Sequence, residues 1–93
     1  MSLTFPNLSR SYDASGRRIR FWGHDSAVEV PFFLDENAIF ALYPATTNTE
    51  AGILAAFDNA RDRIFAAAAR VYAPGHHRSF YNLTGSDVAR VAT

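Results

Sequence analysis

Three stretches of the 93-residue chain carry residue types from which reactive or binding sites are built. "HDS", His24 to Ser26, holds an imidazole, a carboxylate and a hydroxyl. Three consecutive residues in a turn cannot align a nucleophile, its base and an orienting acid, so no hydrolase follows from them. "HH", His76 and His77, stands beside Pro74 and Gly75. Adjacent histidines diverge, and without helical i, i+4 spacing or a third ligand they do not describe a metal site. The third stretch is "FDNARDRIFAAAARVY", residues 57 to 72. At about 100° per residue, Phe57, Ile64, Phe65, Ala68, Val71 and Tyr72 share one helical face, and Arg61 falls near the middle of that apolar arc. A guanidinium there needs a partner. Two readings stand open: a structural tether to a carboxylate or free carbonyls, or a groove in which Arg61, with Tyr72 or Trp22, holds an anion.

Composition narrows the chemistry further. Cysteine is absent, which removes disulfides, thiolate metal sites and thiol nucleophiles. The five glycines are scattered and form no phosphate-cradling loop or dinucleotide fingerprint. No catalytic residues, cofactor or metal are therefore expected, and the chain reads as a non-enzyme. Formal net charge is zero, which removes the general attraction of a basic protein for nucleic acid or anionic lipid. Charge is still segregated. Arg10, Arg17, Arg18 and Arg20 cluster around Asp13, whereas residues 25 to 58 carry Asp25, Glu29, Asp35, Glu36, Glu50 and Asp58 and no base. The two stretches are expected to meet in the fold, with a phosphate-binding patch as the alternative. No apolar run reaches membrane-spanning length and "MSLTFPNLSR" has no signal-peptide pattern, so the reading is a cytoplasmic chain without membrane contact.

The elements that must position these residues follow from periodicity. "LTF" reads as a short edge strand ended by Pro6, and "SYDASG" as a reversal at Asp13, Ser15 and Gly16. "RRIRFWGHD" alternates, with Ile19 and Phe21 inward and Arg18, Arg20 and Trp22 outward. After a turn at Gly23 to Ser26, "AVEVPFFL" places Val28, Val30 and Phe32 inward and Ala27, Glu29 and Phe33 outward. The two pair as a hairpin, with Pro31 at an edge or a bulge and Glu29 across from Arg18 or Arg20. Asp35 caps a short helix on which Ile39, Leu42 and Tyr43 share a face before Pro44. A capping box at Thr47 to Glu50 opens one long helix that "APG" closes at 73–75, with Gly52 marking a close approach. "RSFYNLT" is a returning strand and "TGSDVARV" a capped final turn.

The fold class is thus α+β: residues 1–93 form one domain, a small antiparallel sheet of hairpin plus returning strand, with one long and one short helix packed on one face. Trp22 and Phe33 project from the same side of the hairpin beside Arg18 and Arg20, the composition of an interface centre. The expected function is a protein-interaction or accessory regulatory module, as a homodimer or with another protein. The alternative is a weak nucleic-acid-binding transcriptional regulator that uses Arg17, Arg18, Arg20 and Trp22.

The order of "IRFWG", "VEVPFFL" and then a helix with Phe57, Arg61, Ile64 and Ala68 at Phe-x3-Arg-x2-Ile-x3-Ala spacing resembles the small bacterial proteins grouped as domain of unknown function 1488. The resemblance covers nearly the whole chain. It implies a small α+β domain and no established activity, and some members have been labelled transcriptional regulators. Where that family often has an acid soon after the Ile, this helix has Phe65 and four alanines, so the resemblance implies no ion-pair ladder on that flank.

Overall fold

The computed structural model describes residues 3–6, 8–72 and 79–89. Its order is β1 (Leu3–Thr4), β2 (Arg10–Asp13), β3 (Arg18–Asp25), β4 (Val28–Asp35), α1 (Glu36–Leu42), α2 (Glu50–Asn59), α3 (Arg61–Val71), β5 (Tyr81–Leu83) and α4 (Gly85–Ala89). The α+β class expected from the sequence is found. The sheet is mixed, however: β1, β2 and β4 pair antiparallel with β3, and β5 lies parallel to β4. The helical segments between β4 and β5 supply the long crossover that a parallel pairing requires.

The central hairpin is unbroken in register from Arg18↔Asp35 to Asp25↔Val28. Its turn is Ser26–Ala27, later than Gly23 to Ser26, with Ser26 at φ 57. A positive φ at the first of two turn residues suits the right-handed twist of the flanking strands. A two-residue connection makes Asp25↔Val28 a hydrogen-bonded pair, so alternation leaves Trp22↔Pro31 a non-hydrogen-bonded one. Pro31 therefore directs its missing donor away from β3, and β5 begins pairing only at Phe32. The proline is tolerated at an unpaired position, with no bulge.

On the inner face Ile19, Phe21, Val30, Phe32, Leu34, Tyr81 and Leu83 are buried together with Ile39, Ile53, Phe57, Ile64, Ala68 and Val88 from the helices. Two residues expected inside are not: Val28 is 59% exposed at the hairpin tip and Tyr43 is 38% exposed at the end of α1.

β1 and β2 lie on the same flank of β3. The pairs Thr4↔His24 and Arg10↔Phe21 leave only Trp22 and Gly23 of β3 between the two strands, and Phe5, Pro6, Leu8 and Ser9 lie outside the ladder. Phe5 enters the core there, stacked on Phe65 at 4.0 Å. A Cβ on Gly23 would lie 2.9 Å from Leu3 Cδ1 and 3.0 Å from Phe5 Cε1, so glycine makes room for the excursion.

The expected long helix is two, divided at Ala60, whose N–H is shared between the carbonyls of Ala56 and Phe57. Asp58 and Asn59 are weak helix formers and stand where the ladder tightens. Thr49 caps α2, accepting from Gly52 N–H at 3.1 Å, so the start falls two residues beyond the expected box. At α4 the cap that "TGSDVARV" implies is found as a reciprocal box. Asp87 accepts from the Thr84 N–H at 2.9 Å, and the Asp87 N–H donates back to Thr84 Oγ1. Asp35 caps α1 through the Asn37 N–H, as its position implies.

Gly52 is explained by the close approach of Thr47: a Cβ would stand 2.5 Å from that backbone carbonyl oxygen. Gly52→Ala should therefore lower the melting temperature, with the clash outweighing the roughly 1 kcal/mol that alanine gains over glycine in a helix. A rise in melting temperature on thermal denaturation would show that the Thr47 loop moves freely.

Candidate binding face and the arginine network

Arg61 lies on the helical side of the sheet, with its side chain 18% exposed. Its Nη1 donates to the Leu8 carbonyl at 3.0 Å and its Nη2 pairs with Asp58 across the helix break. Its guanidinium carbon lies 5.4 Å from the Phe57 ring centre and 5.7 Å from that of Phe65. Arg10 grips the same Asp58 in bidentate fashion, Nε and Nη2 each at 2.9 Å. One carboxylate thus joins β2, the excursion after β1 and the α2–α3 junction. Hydrogen bonds from Arg10, reinforced by the charges of both arginines, hold the Asp58 carboxyl below its ordinary value of 3.8. The segregated charges do meet: Arg10 reaches Asp58, and Arg17 lies 3.7 Å from Glu36.

Two carboxylates are buried: Asp25, named in the sequence only as part of "HDS", and Glu36, which the sequence did not single out. Asp25, at the tip of β3, accepts from the Tyr72 hydroxyl at the end of α3. Glu36, the first residue of α1, accepts from Tyr12 Oη at 2.5 Å. The bond to Asp25 is the main cause that pushes the Tyr72 hydroxyl from 10.0 up to about 12, and the bond to Glu36 raises Tyr12 in the same direction. These pairs link elements 47 and 24 residues apart, and β2 carries too little alternation to announce Tyr12 as a hydrogen-bond donor. With Asp25 buried against Tyr72, the "HDS" stretch presents no triad. His76 and His77 lie outside the described residues; no metal-binding group occurs among the described ones.

The other four residues singled out from the sequence come together on the outer face of the sheet. Alternation places Arg18, Arg20, Trp22 and His24 of β3 beside Asp35, Phe33, Pro31 and Glu29 of β4, with Asn82 of β5 next to Phe33. Glu29 stands across from His24 and not from either arginine. Arg18 lies 3.7 Å over the Phe33 ring and Arg20 4.9 Å over Trp22, while Phe80 meets Phe33 edge-on at 5.6 Å. The Arg18 Nε donates to Asp13 at 3.0 Å, and Asp13 also accepts from Ser15 Oγ and the Gly16 N–H. Those hydrogen bonds, from Ser15 first and then Arg18, lower the Asp13 carboxyl. A shallow groove of about 260 Å³ opens between Arg18, Phe33, Asp35, Asn82 and Thr84. Arg17 does not join this set, because it occupies the turn at φ 53 and leans toward Glu36. No helix among the described residues is long and apolar enough to cross a membrane.

A mixed sheet with helices over one face and an aromatic–arginine array on the other defines a small α+β domain with a two-faced sheet. Residues 3–84 match the model of the protein family of unknown function DUF1488, and the chain belongs to that family. A crystal structure of a DUF1488 family protein of unknown function from Shewanella loihica PV-4 is similar in fold, with a TM-score of 0.73 at 14% identity over 88% of this chain and 91% of that one. No curated protein matches the chain.

Asp58→Asn keeps the shape of the hub and removes its charge. Because its carboxyl is held low in the fold, its contribution is complete above the unfolded value near 3.8 and is lost as pH falls through the lower folded value. Arg10 and Asp58 are about a third exposed (31% and 38%), so screening limits the loss at neutral pH to about 1 kcal/mol. Melts from pH 7 to pH 2 should show the variant's acid limb flattened; an unchanged limb would remove Asp58 from the account. Tyr72→Phe tests the opposite limb. A hydroxyl raised from 10.0 to about 12 stabilises the fold below pH 10, and that gain disappears as pH rises toward 12. The phenylalanine variant should melt lower at pH 7 and lose less than the parent between pH 10 and pH 12.

Proposed function

We propose that the chain is a non-enzymatic protein-interaction module that docks through the outer face of its sheet. One observation carries this reading: the inner face is sealed by helices, whereas the outer one leaves Trp22, Pro31 and Phe33 half-exposed with arginines laid across two of the rings. Aromatic and arginine side chains in that proportion are the anchors of protein interfaces. The rings are held by cross-strand neighbours before any partner arrives, so little side-chain freedom is lost on docking. A regulatory accessory role is consistent with a module of this kind.

The stacking of exposed Arg20 over Trp22 favours a second reading, binding of single-stranded nucleic acid by a cationic strand with an aromatic platform. Charge on the face weighs against it. Arg18 and Arg20 share that surface with Asp13, Glu29 and Asp35, and Arg18 is already paired with Asp13. A phosphate backbone would meet more carboxylates than guanidinium groups there.

Immobilised wild-type protein and its Trp22→Ser and Phe33→Ser variants, exposed to extract of the source cells, separate these readings. Docking through the face predicts a specific captured protein that both variants lose and that a helix-side variant, Arg70→Ser, retains. Equal capture by all four proteins would sink the assignment. A salt-dependent gel shift with single-stranded oligonucleotides that Arg20→Ala abolishes would transfer it to the second reading.

A further inference from the structure

We infer that the occupant of this face is a second copy of the same chain, packed sheet to sheet about a two-fold axis that runs parallel to β3 and β4 midway between them. This rests on the reading of the outer face as a docking surface and adds the identity of the partner. Rotation by half a turn about that line exchanges β3 for β4 while leaving every residue at its height along the strands. Each outward side chain then faces the second copy's version of its own cross-strand neighbour. The register therefore decides whether the face is self-complementary, and it is. Arg18 and Asp35 are neighbours, so Arg18 of each copy meets a carboxylate. Its terminal guanidinium nitrogens are turned to that use because Nε is bound to Asp13 and the plane is fixed on Phe33. His24 and Glu29 are neighbours, which sets an imidazole against a carboxylate at the other end.

The centre matches as well. Trp22 and Pro31 are neighbours, as are Arg20 and Phe33, so indole faces pyrrolidine and guanidinium faces phenyl. The same rotation carries β2 over β5, because the axis bisects the path β2, β3, β4, β5. Ser11 lies level with Arg20, and Asn82 with Phe33, which brings a hydroxyl against a carboxamide at the rim. Apolar and aromatic groups in the middle with charge and hydrogen-bonding groups outside is the arrangement of a stable interface. A uniformly basic or acidic face would have repelled its own copy. This one sets opposite or hydrogen-bonding charges at its two ends and apolar and cation–π contacts between them.

Sedimentation equilibrium on the full chain tests the inference, with emission from Trp22, the single tryptophan, as a second readout. The expected result is a mass that rises with concentration toward twice 10.3 kDa, accompanied by a blue shift of the indole emission. His24→Glu sets two carboxylates against each other on both sides of the two-fold, at the end of the strands away from Arg18, and should weaken association by about tenfold, or ~1.4 kcal/mol. His24→Glu/Glu29→Lys restores opposite charges and should recover most of it. Trp22→Ser should weaken association by about thirtyfold, as loss of an interface anchor does, while far-UV circular dichroism stays that of the folded chain. A chain that remains monomeric, a dimer indifferent to Trp22→Ser, or a double variant no better than His24→Glu alone would overturn the inference. A monomer that still captures another protein through Trp22 would overturn it while leaving the docking reading in place.

Discussion

Asp58 is the point on which the arrangement of layers depends. It receives two hydrogen bonds from Arg10 on an outer strand and one from Arg61 at the start of α3, and Arg61 in turn holds the Leu8 carbonyl. Three parts of the chain that share no ladder are joined through one carboxylate. The pairing also explains how a guanidinium can stand on an apolar helical face: its stem and ring contacts belong to the core, while its nitrogens are met from within the fold. The break at Ala60 lies between Asp58 and Arg61, and the acid on the last turn of α2 faces the base on the first turn of α3.

The sheet separates two kinds of work. Its inner face supplies packing area, with Phe21, Phe32 and Phe57 fully buried and in ring contact, and Phe5 of the N-terminal excursion laid over Phe65. At the margins of that core, tyrosine hydroxyls satisfy Asp25 and Glu36, so neither carboxylate is buried without a donor. The outer face has no such seal. Its rings are held under arginines and in the cross-strand register.

Among the described residues, most arginines of the N-terminal half are neutralised within the fold. Arg10, Arg17, Arg18 and Arg61 are each paired with an acid of the same chain. That is the physical meaning of a formal net charge of zero in a chain whose charges are segregated along the sequence: the segregation is undone by folding.

The sequence by itself determined the elements governed by local periodicity and local capping. Alternation in "RIRFWGHD" and "VEVPFFL" located the hairpin and assigned Ile19, Phe21, Val30 and Phe32 to one face and Arg18, Arg20, Trp22 and Phe33 to the other. Asp35 and the Thr84–Asp87 box declared helix starts, because a cap acts within four residues of itself. The inward place of Arg61 was also legible, since it follows from angle alone. Tertiary structure decided what depends on partners distant in sequence. The direction of β5 relative to β4, the strand at 10–13, the division of the long helix, and the partners of Asp25, Glu36 and Glu29 all depend on residues that only folding brings near. The self-complementarity of the outer face belongs to both: side-chain types came from the sequence, but a turn one residue later or earlier would have paired different charges, and the register is set only once the chain has closed on itself.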